Sequence, residues 1–374
     1  MSNGSKTAFP TVPLEVRADN ERLPEERSMK NSLLLLVIIA LIAMARSEDD
    51  SLTFDTLWTH ETGSSIRGNP GLVQTAGGPL IIIGTDAGDI LALEGGGKVR
   101  WQDQVTARVH GCPTTMDLPS GRMVLIGDSD GTLHAYRPDG TLYWRVSLGK
   151  LEKSDWGHSG ISPWSGPARL HGNSDAAIIV TDRSGRVSAL TYGGRLIWQA
   201  HLTYRTHFNV IGAPAVGDLD GDGSDEIVVS AFDGRVHCFG ADGSLRWITE
   251  TYPVEGGYHS PLIVDDGDGP RVLLMGQTDG VVRALDGQGN EVWQFVGKGT
   301  IGLHMGITPY SESGQHRLFI ANNKSGQDII DVRGNLLTRL SFGGGGGQLF
   351  GPTAADLDGD GRVELLMPRI QYTT

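Results

Sequence analysis

The sequence predicts an all-β fold: a seven-bladed β-propeller of four-stranded antiparallel blades, the last blade closed by the N-terminal strand. One pattern recurs at a propeller-blade period along most of the chain. Asp-Gly and Gly-Gly turns separate short alternating apolar runs, as tight hairpins require. With 54 glycines in 374 residues and 39% apolar content, the composition is that of a turn-rich chain.

The unit is clearest in residues 212–247, GAPAVGDLDGDGSDEIVVSAFDGRVHCFGADGSLRW. An Ala-Pro-Ala-Val strand leads into an acidic loop, and 226–231 is an apolar strand. Residues 235–239 alternate after the turn Asp233-Gly234, and a second turn at Asp242-Gly243 precedes a strand ending in Trp247.

Residues 1–28 are polar and mixed in charge, and are expected to be a disordered leader or an annotation artefact ahead of a start at Met29. The run 33–45, LLLLVIIALIAMA, spans only about 20 Å as a helix, short of a ~30 Å hydrocarbon core. Lys30 precedes it and Ala43-Met44-Ala45 has the small-x-small spacing of a cleavage site. Residues 29–45 are therefore expected to be a signal peptide, with a signal anchor as the alternative. The protein is expected to be exported, to the periplasm, the cell surface or the medium, and to meet a membrane only through an uncleaved anchor.

A single propeller domain is expected over 51–374. Five units place a Trp thirteen residues after a turn Gly: 88–101, 131–144, 185–198, 234–247 and 280–293. The Trp-to-Trp steps are 43, 54, 49 and 46 residues. A sixth unit, 326–338, is one residue shorter and carries Thr338 in place of Trp. Apolar strands precede these units at 80–84, 122–127, 176–181, 226–231, 271–276 and 317–321. A seventh copy starts at Gly351 and stops after two or three strands. The strand 51–59 carries Trp58, which stands 43 residues before Trp101 and so keeps the register of a missing outer strand. Such closure removes an open edge.

The units, best seen in 280–293, resemble the repeats of pyrroloquinoline-quinone-type propellers, and the two DLDGDG loops, each preceded by Gly-Ala-Pro or Gly-Pro, resemble FG-GAP/VCBS-type repeats of secreted and cell-surface propellers. Quinone dehydrogenases of the first class use eight blades and an adjacent-cysteine pair; this chain has neither, so the resemblance implies the fold and not the quinone.

The sharpest chemical motif is Asp218-x-Asp220-x-Asp222-Gly-Ser224-x-Glu226, repeated as Asp356-x-Asp358-x-Asp360-Gly-Arg362-x-Glu364. Carboxylates at positions 1, 3 and 5, a Gly for the sharp turn, the carbonyl of position 7 and an acid at 9 make an oxygen cage suited to Ca²⁺. The acid at 9 is the spacing of FG-GAP-like loops. The alternative is a solvated acidic turn, but clustered like charges repel unless a cation neutralises them. Two structural Ca²⁺ sites are expected. The loop Asp265-Asp266-Gly267-Asp268 lacks the spacing and is expected to be weak or empty.

A second set converges near the start of each first strand: Arg67, His110, His158, His207, His259 and His304, with Phe350 in the seventh unit. Five of the eleven histidines thus fall near one repeat position, which suits a transition metal or an anionic group in the channel; unrelated polar residues in wet loops are the competing reading. Trp156, Trp164, Tyr204 and Tyr258 could stack on sugar rings or pack between blades.

The net charge of −13, which the first 45 residues leave unchanged, disfavours nucleic acid. Cys112 and Cys238 lie in non-adjacent repeats and are expected to be free thiols. There is no HExxH or Cys-x-x-Cys motif, and His110-Gly-Cys112 makes no triad. The absence of such motifs favours a non-catalytic binding or scaffold module with a glycan or protein partner. A polysaccharide-active, lyase-like enzyme and a cell-surface adhesion module are the alternatives.

Overall fold

A computed structural model describes residues 58–66, 70–109, 113–118, 121–151, 161–163, 168–170, 177–182, 184–202, 213–231, 234–250, 260–275, 281–297, 307–312, 315–321, 327–340, 353–355 and 364–366. Among these, every regular element is a strand. The first sheet is β1 (Gly71–Thr75), β2 (Gly78–Gly84), β3 (Asp89–Glu94) and β4 (Val99–Gln104). The second is β5 (Thr114–Leu118), β6 (Gly121–Gly127), β7 (Thr132–Tyr136) and β8 (Leu142–Ser147). The third is β9 (Ile161–Pro163), β10 (Ile178–Asp182), β11 (Arg186–Leu190) and β12 (Leu196–His201). The fourth is β13 (Ala215–Gly217), β14 (Glu226–Ser230), β15 (Arg235–Phe239) and β16 (Leu245–Glu250). The fifth is β17 (Leu262–Asp265), β18 (Pro270–Met275), β19 (Val281–Leu285) and β20 (Glu291–Val296). The sixth is β21 (Ile307–Glu312), β22 (Gln315–Ala321), β23 (Gln327–Asp331) and β24 (Leu336–Leu340), and β25 (Thr353–Ala355) pairs with β26 (Glu364–Leu366). Each of the six sheets is an antiparallel meander of four strands, in the order expected.

Consecutive sheets meet face to face. Val73, Ile82, Ile90 and Tyr136 share one buried cluster between the first two sheets, and Leu125, Leu133, Ile178 and Val180 share another between the second and third. Further clusters join the third to the fourth, the fourth to the fifth and the fifth to the sixth. The second and third strands of a sheet are therefore covered on both sides, so β10, β11 and β14 are buried at every position. Fourth strands alternate between half-buried and exposed.

That alternation corrects one expectation. The outer strands do not end at the tryptophan but run three residues past it in the first five sheets, as Leu245–Glu250 does beyond Trp247. The residues after the Trp are alternately polar and half-exposed, which erased the apolar signal without stopping the backbone pairing.

The tryptophans join sheet to sheet. Trp101 donates its indole N–H to Pro138 O (2.9 Å), Trp144 to Tyr192 O (2.7 Å), Trp198 to Ala241 O (2.9 Å) and Trp247 to Gly287 O (2.9 Å), each in the last turn of the following sheet. The ring lies beneath a turn glycine. At Gly243 the φ is +79°, and a Cβ would stand 2.6 Å from the Trp198 ring. Trp58 takes the same place in the first sheet, bonded to Gly95 O (2.7 Å) beneath Gly97. Together with Ile66 it covers Ile81, Ile83, Leu91 and Leu93, the face of the first sheet turned away from the second.

Gly243→Ala therefore combines a left-handed backbone with a clash. It is expected to cost about 2–4 kcal/mol, read as a lowered Tm in thermal denaturation. Gly96→Ala, in the corresponding turn of the first sheet but with no atom within 4 Å of its Cβ position, is expected to leave Tm nearly unchanged.

Candidate metal centre

The loop joining β13 to β14 begins as β13 ends at Gly217 and closes as Glu226 opens the buried β14. Its six central residues are folded by their own side chains. Asp218 accepts the amides of Gly221 (2.7 Å) and Gly223 (3.0 Å), Asp220 that of Asp222 (3.1 Å), and Asp222 that of Ser224 (2.7 Å). Gly221 and Gly223 both have positive φ, +80° and +87°, so the chain curls tightly enough to turn the carboxylates inward.

The result is a cluster in which carboxylate oxygens of Asp218, Asp220 and Asp222 lie within 4.8 Å of one another. Asp220 and Asp222 are exposed and Asp218 is half-buried. Glu226, the ninth position, stands apart from that trio at the root of the loop and is 3% exposed. Its Oε2 accepts the amide of Leu219 (3.0 Å), whereas its Oε1 is buried without a partner among the described residues. Burial raises its pKa, the Leu219 amide opposes the rise, and the negative charges of Asp220 and Asp222 add to it.

Two contacts that the spacing did not announce fix the loop to its neighbours. Asp225 is buried and clamped by Arg169 of the third sheet: it accepts the Arg169 amide (2.6 Å), Nε (3.1 Å) and Nη2 (2.6 Å), and returns its own amide to Arg169 O (2.8 Å). On the other side Leu219 is buried, and its carbonyl abuts Gly287 so closely that a Cβ there would collide with it. Gly287 O is the acceptor of Trp247. The acidic loop thus touches three consecutive sheets. Arg169 lies 56 residues from Asp225, and no local pattern links them.

The loop Asp265-Asp266-Gly267-Asp268 meets arginines. Arg271 Nε lies 2.8 Å from Asp266, and Arg333 Nη2 lies 3.2 Å from Asp268 with its Nε on Asp266 O (3.2 Å). Guanidinium groups from the chain itself neutralise that cluster.

Asp356, Asp358, Asp360 and Arg362 of the second predicted site lie outside the described residues, and Glu364 opens β26. Arg67, His110, His158, His207, His259, His304 and Phe350 also lie outside them, as do Trp156, Trp164, Tyr204, Tyr258 and Cys112. Cys238 is a buried free thiol on β15, its pKa pushed up by desolvation; it packs as a small hydrophobe among Val228, Val236 and Leu274.

Residues 50–268 match the model of the PQQ_2 family, described as outer membrane protein assembly factor BamB. Two curated relatives, both named lambda-carrageenase, come from a Pseudoalteromonas species and from Pseudoalteromonas carrageenovora. They are 30% identical over 111 residues and 31% identical over 101. These matches take in 25% and 27% of this chain but only 11% and 10% of the relatives. Among solved structures, BamB from Moraxella catarrhalis superposes with a TM-score of 0.55 at 18% identity, over 84% of this chain and 88% of that one. The V. cholerae biofilm matrix protein Bap1 gives 0.56 at 14% identity, over 83% and 76%. BBS1N, solved in complex with ARL6DN, gives 0.53 at 14% identity, over 83% and 94%. These likenesses establish a β-propeller fold.

The raised pKa of Glu226 sets a sign. A carboxyl whose folded pKa lies above its ordinary value of 4.5 stabilises the fold below that value and loses the contribution as pH rises through the folded pKa. In chelator-treated protein, Glu226→Gln is expected to raise Tm at pH 7 and to leave it nearly unchanged at pH 4. Equal effects at both pH values would contradict the assignment.

Proposed function

This chain belongs to the PQQ_2 family of outer membrane protein assembly factor BamB, and on that premise we propose that it is an exported, non-catalytic scaffold. We propose further that it has seven blades closed by residues 51–59 and is stiffened by calcium at its FG-GAP/VCBS-like loops. The observation that carries the scaffold reading is how the molecule spends its buried acid–base groups. Asp128 with His134, Asp182 with Arg186 and Asp328 with Arg339 each fasten strands within one sheet, and Asp225 with Arg169 ties two sheets together. Family membership supports a protein partner, and so does the solution of the propeller-like BBS1N in complex with ARL6DN. The apolar run 33–45 and the family description support export, by a cleaved signal over 29–45 or an anchor. The packing of Trp58 against the outer face of the first sheet supports closure by the strand that carries it.

Calcium fits the acidic loop because Asp218, Asp220 and Asp222 converge while Glu226 Oε1 is buried without a partner among the described residues. A hard divalent cation satisfies oxygen ligands of that kind and removes their mutual repulsion. The second copy, 356–364, supplies the same acids at positions 1, 3, 5 and 9. Calcium added to chelator-treated protein is expected to raise Tm by several degrees, and Asp220→Ala together with Asp222→Ala to remove part of that gain. No change on adding calcium would overturn the calcium role.

A second reading, a unit that processes a sulfated polysaccharide, draws on the two lambda-carrageenase relatives. A turnover assay separates the two. Calcium-loaded protein incubated with lambda-carrageenan is expected to release no new chain ends over hours. Sustained release, lost on heat denaturation, would overturn the non-catalytic reading and establish the second.

A further inference from the structure

At two positions that line one cleft the second sheet carries residue types found there in none of the other five. Three residues before the turn glycine, the third, fifth and sixth sheets carry Thr191, Asp286 and Asp331, whose side chains cap their own turns by accepting amides two or four residues on. The second sheet has Arg137 there, exposed and within electrostatic reach of Asp139. Just before the tryptophan, the other five sheets carry Arg100, Ile197, Arg246, Val292 and Leu337, while the second carries Tyr143, which is 47% exposed. The Arg137 guanidinium lies over the Tyr143 ring, 5.5 Å from its centre.

Both residues line a half-open cleft of about 310 Å³, the size at the lower end of small-molecule sites, lined also by half-buried Leu118 and backed by buried Met123 and Tyr136. The other walls are held in place. Arg122 is locked by Asp117 (2.6 and 2.9 Å) and by Gln74 O (2.8 Å), which satisfies its charge. Tyr136 is fully buried, donates to Asp103 (2.8 Å) and stacks on Trp101, which also holds Pro138 O. Asp139 also lines the cleft, with one carboxylate oxygen accepting the Thr141 amide (2.9 Å). One exposed cation, one exposed aromatic ring and one carboxylate acceptor thus meet on a rigid frame, the pattern that receives a ring with one acidic group and several hydroxyls.

We propose that this cleft binds one acidic unit of a saccharide chain. Arg137 takes its sulfate or carboxylate, Tyr143 packs against the ring, and Asp139 accepts from a hydroxyl. The site is independent of the scaffold and turnover readings, since it involves neither the acidic loops nor any bond cleavage. The cleft's size suits a single unit, and its open side lets the chain continue past it.

The test is calorimetric titration of the calcium-loaded full chain with oligogalacturonate, sulfated galactan oligosaccharides, neutral agaro-oligosaccharides and sodium sulfate. At least one acidic oligosaccharide is expected to bind; carboxylated and sulfated arms identify which acid is preferred, and the neutral series is expected to bind at least ~10-fold more weakly. Arg137→Ala and Tyr143→Ala are each expected to weaken acidic binding by about tenfold or more, with unchanged Tm because both side chains are exposed. Arg195→Ala, an exposed turn arginine of the third sheet, is expected to leave it unchanged. Failure of both acidic series to bind would overturn the proposal. So would full affinity in Arg137→Ala, or sulfate alone binding as tightly as the oligosaccharides.

Discussion

The indole that an outer strand drives beneath the last turn of the following sheet is the contact on which the rest of this molecule depends. It needs a glycine in positive φ above the ring and a backbone carbonyl beyond it, and the first five turns supply both. The sixth turn seats Trp293 under Gly334 in the same way, although the Trp293 N–H is buried without an acceptor among the described residues. Once those joints are set, each pair of facing sheets is brought to a distance at which Val, Ile and Leu from both interleave. The inner strands can then be apolar on every residue.

Polar groups between sheets follow the same geometry. The acidic loop of the fourth sheet lies against the last turn of the fifth at Gly287, and the acidic loop of the fifth lies against the last turn of the sixth at Arg333. The two loops occupy equivalent places and solve the same electrostatic problem by different means. In one, arginines sit among the carboxylates; in the other the carboxylates converge with no arginine between them, and Arg169 binds Asp225 at the loop's flank.

Much of this was legible in the residues. Turn glycines and tryptophans thirteen residues apart located four-stranded units, and the strand Arg235–Phe239 fell where alternation put it. Trp58 was found by its register alone. The extent of the outer strands was not legible, because an edge strand with one wet face loses apolar periodicity after its tryptophan while keeping its backbone partners. The clamp on Asp225 was invisible for another reason: pairing across sheets depends on how loops meet, and Arg169 belongs to a different repeat. Arg137 and Tyr143 were overlooked because both suit a surface turn; only alignment of the six turns marks them as departures.

The joints also have a direction. Every tryptophan among the described residues reaches forward to a sheet that comes later in the chain, beginning with Trp58 ahead of the first sheet. A chain emerging from its N-terminus therefore presents each new sheet with an indole already in place, and the sheets can be added in order. Among the described residues the series of latches ends at Thr338, an exposed side chain too small to repeat the indole contact, so the sixth sheet hands forward no joint of that kind.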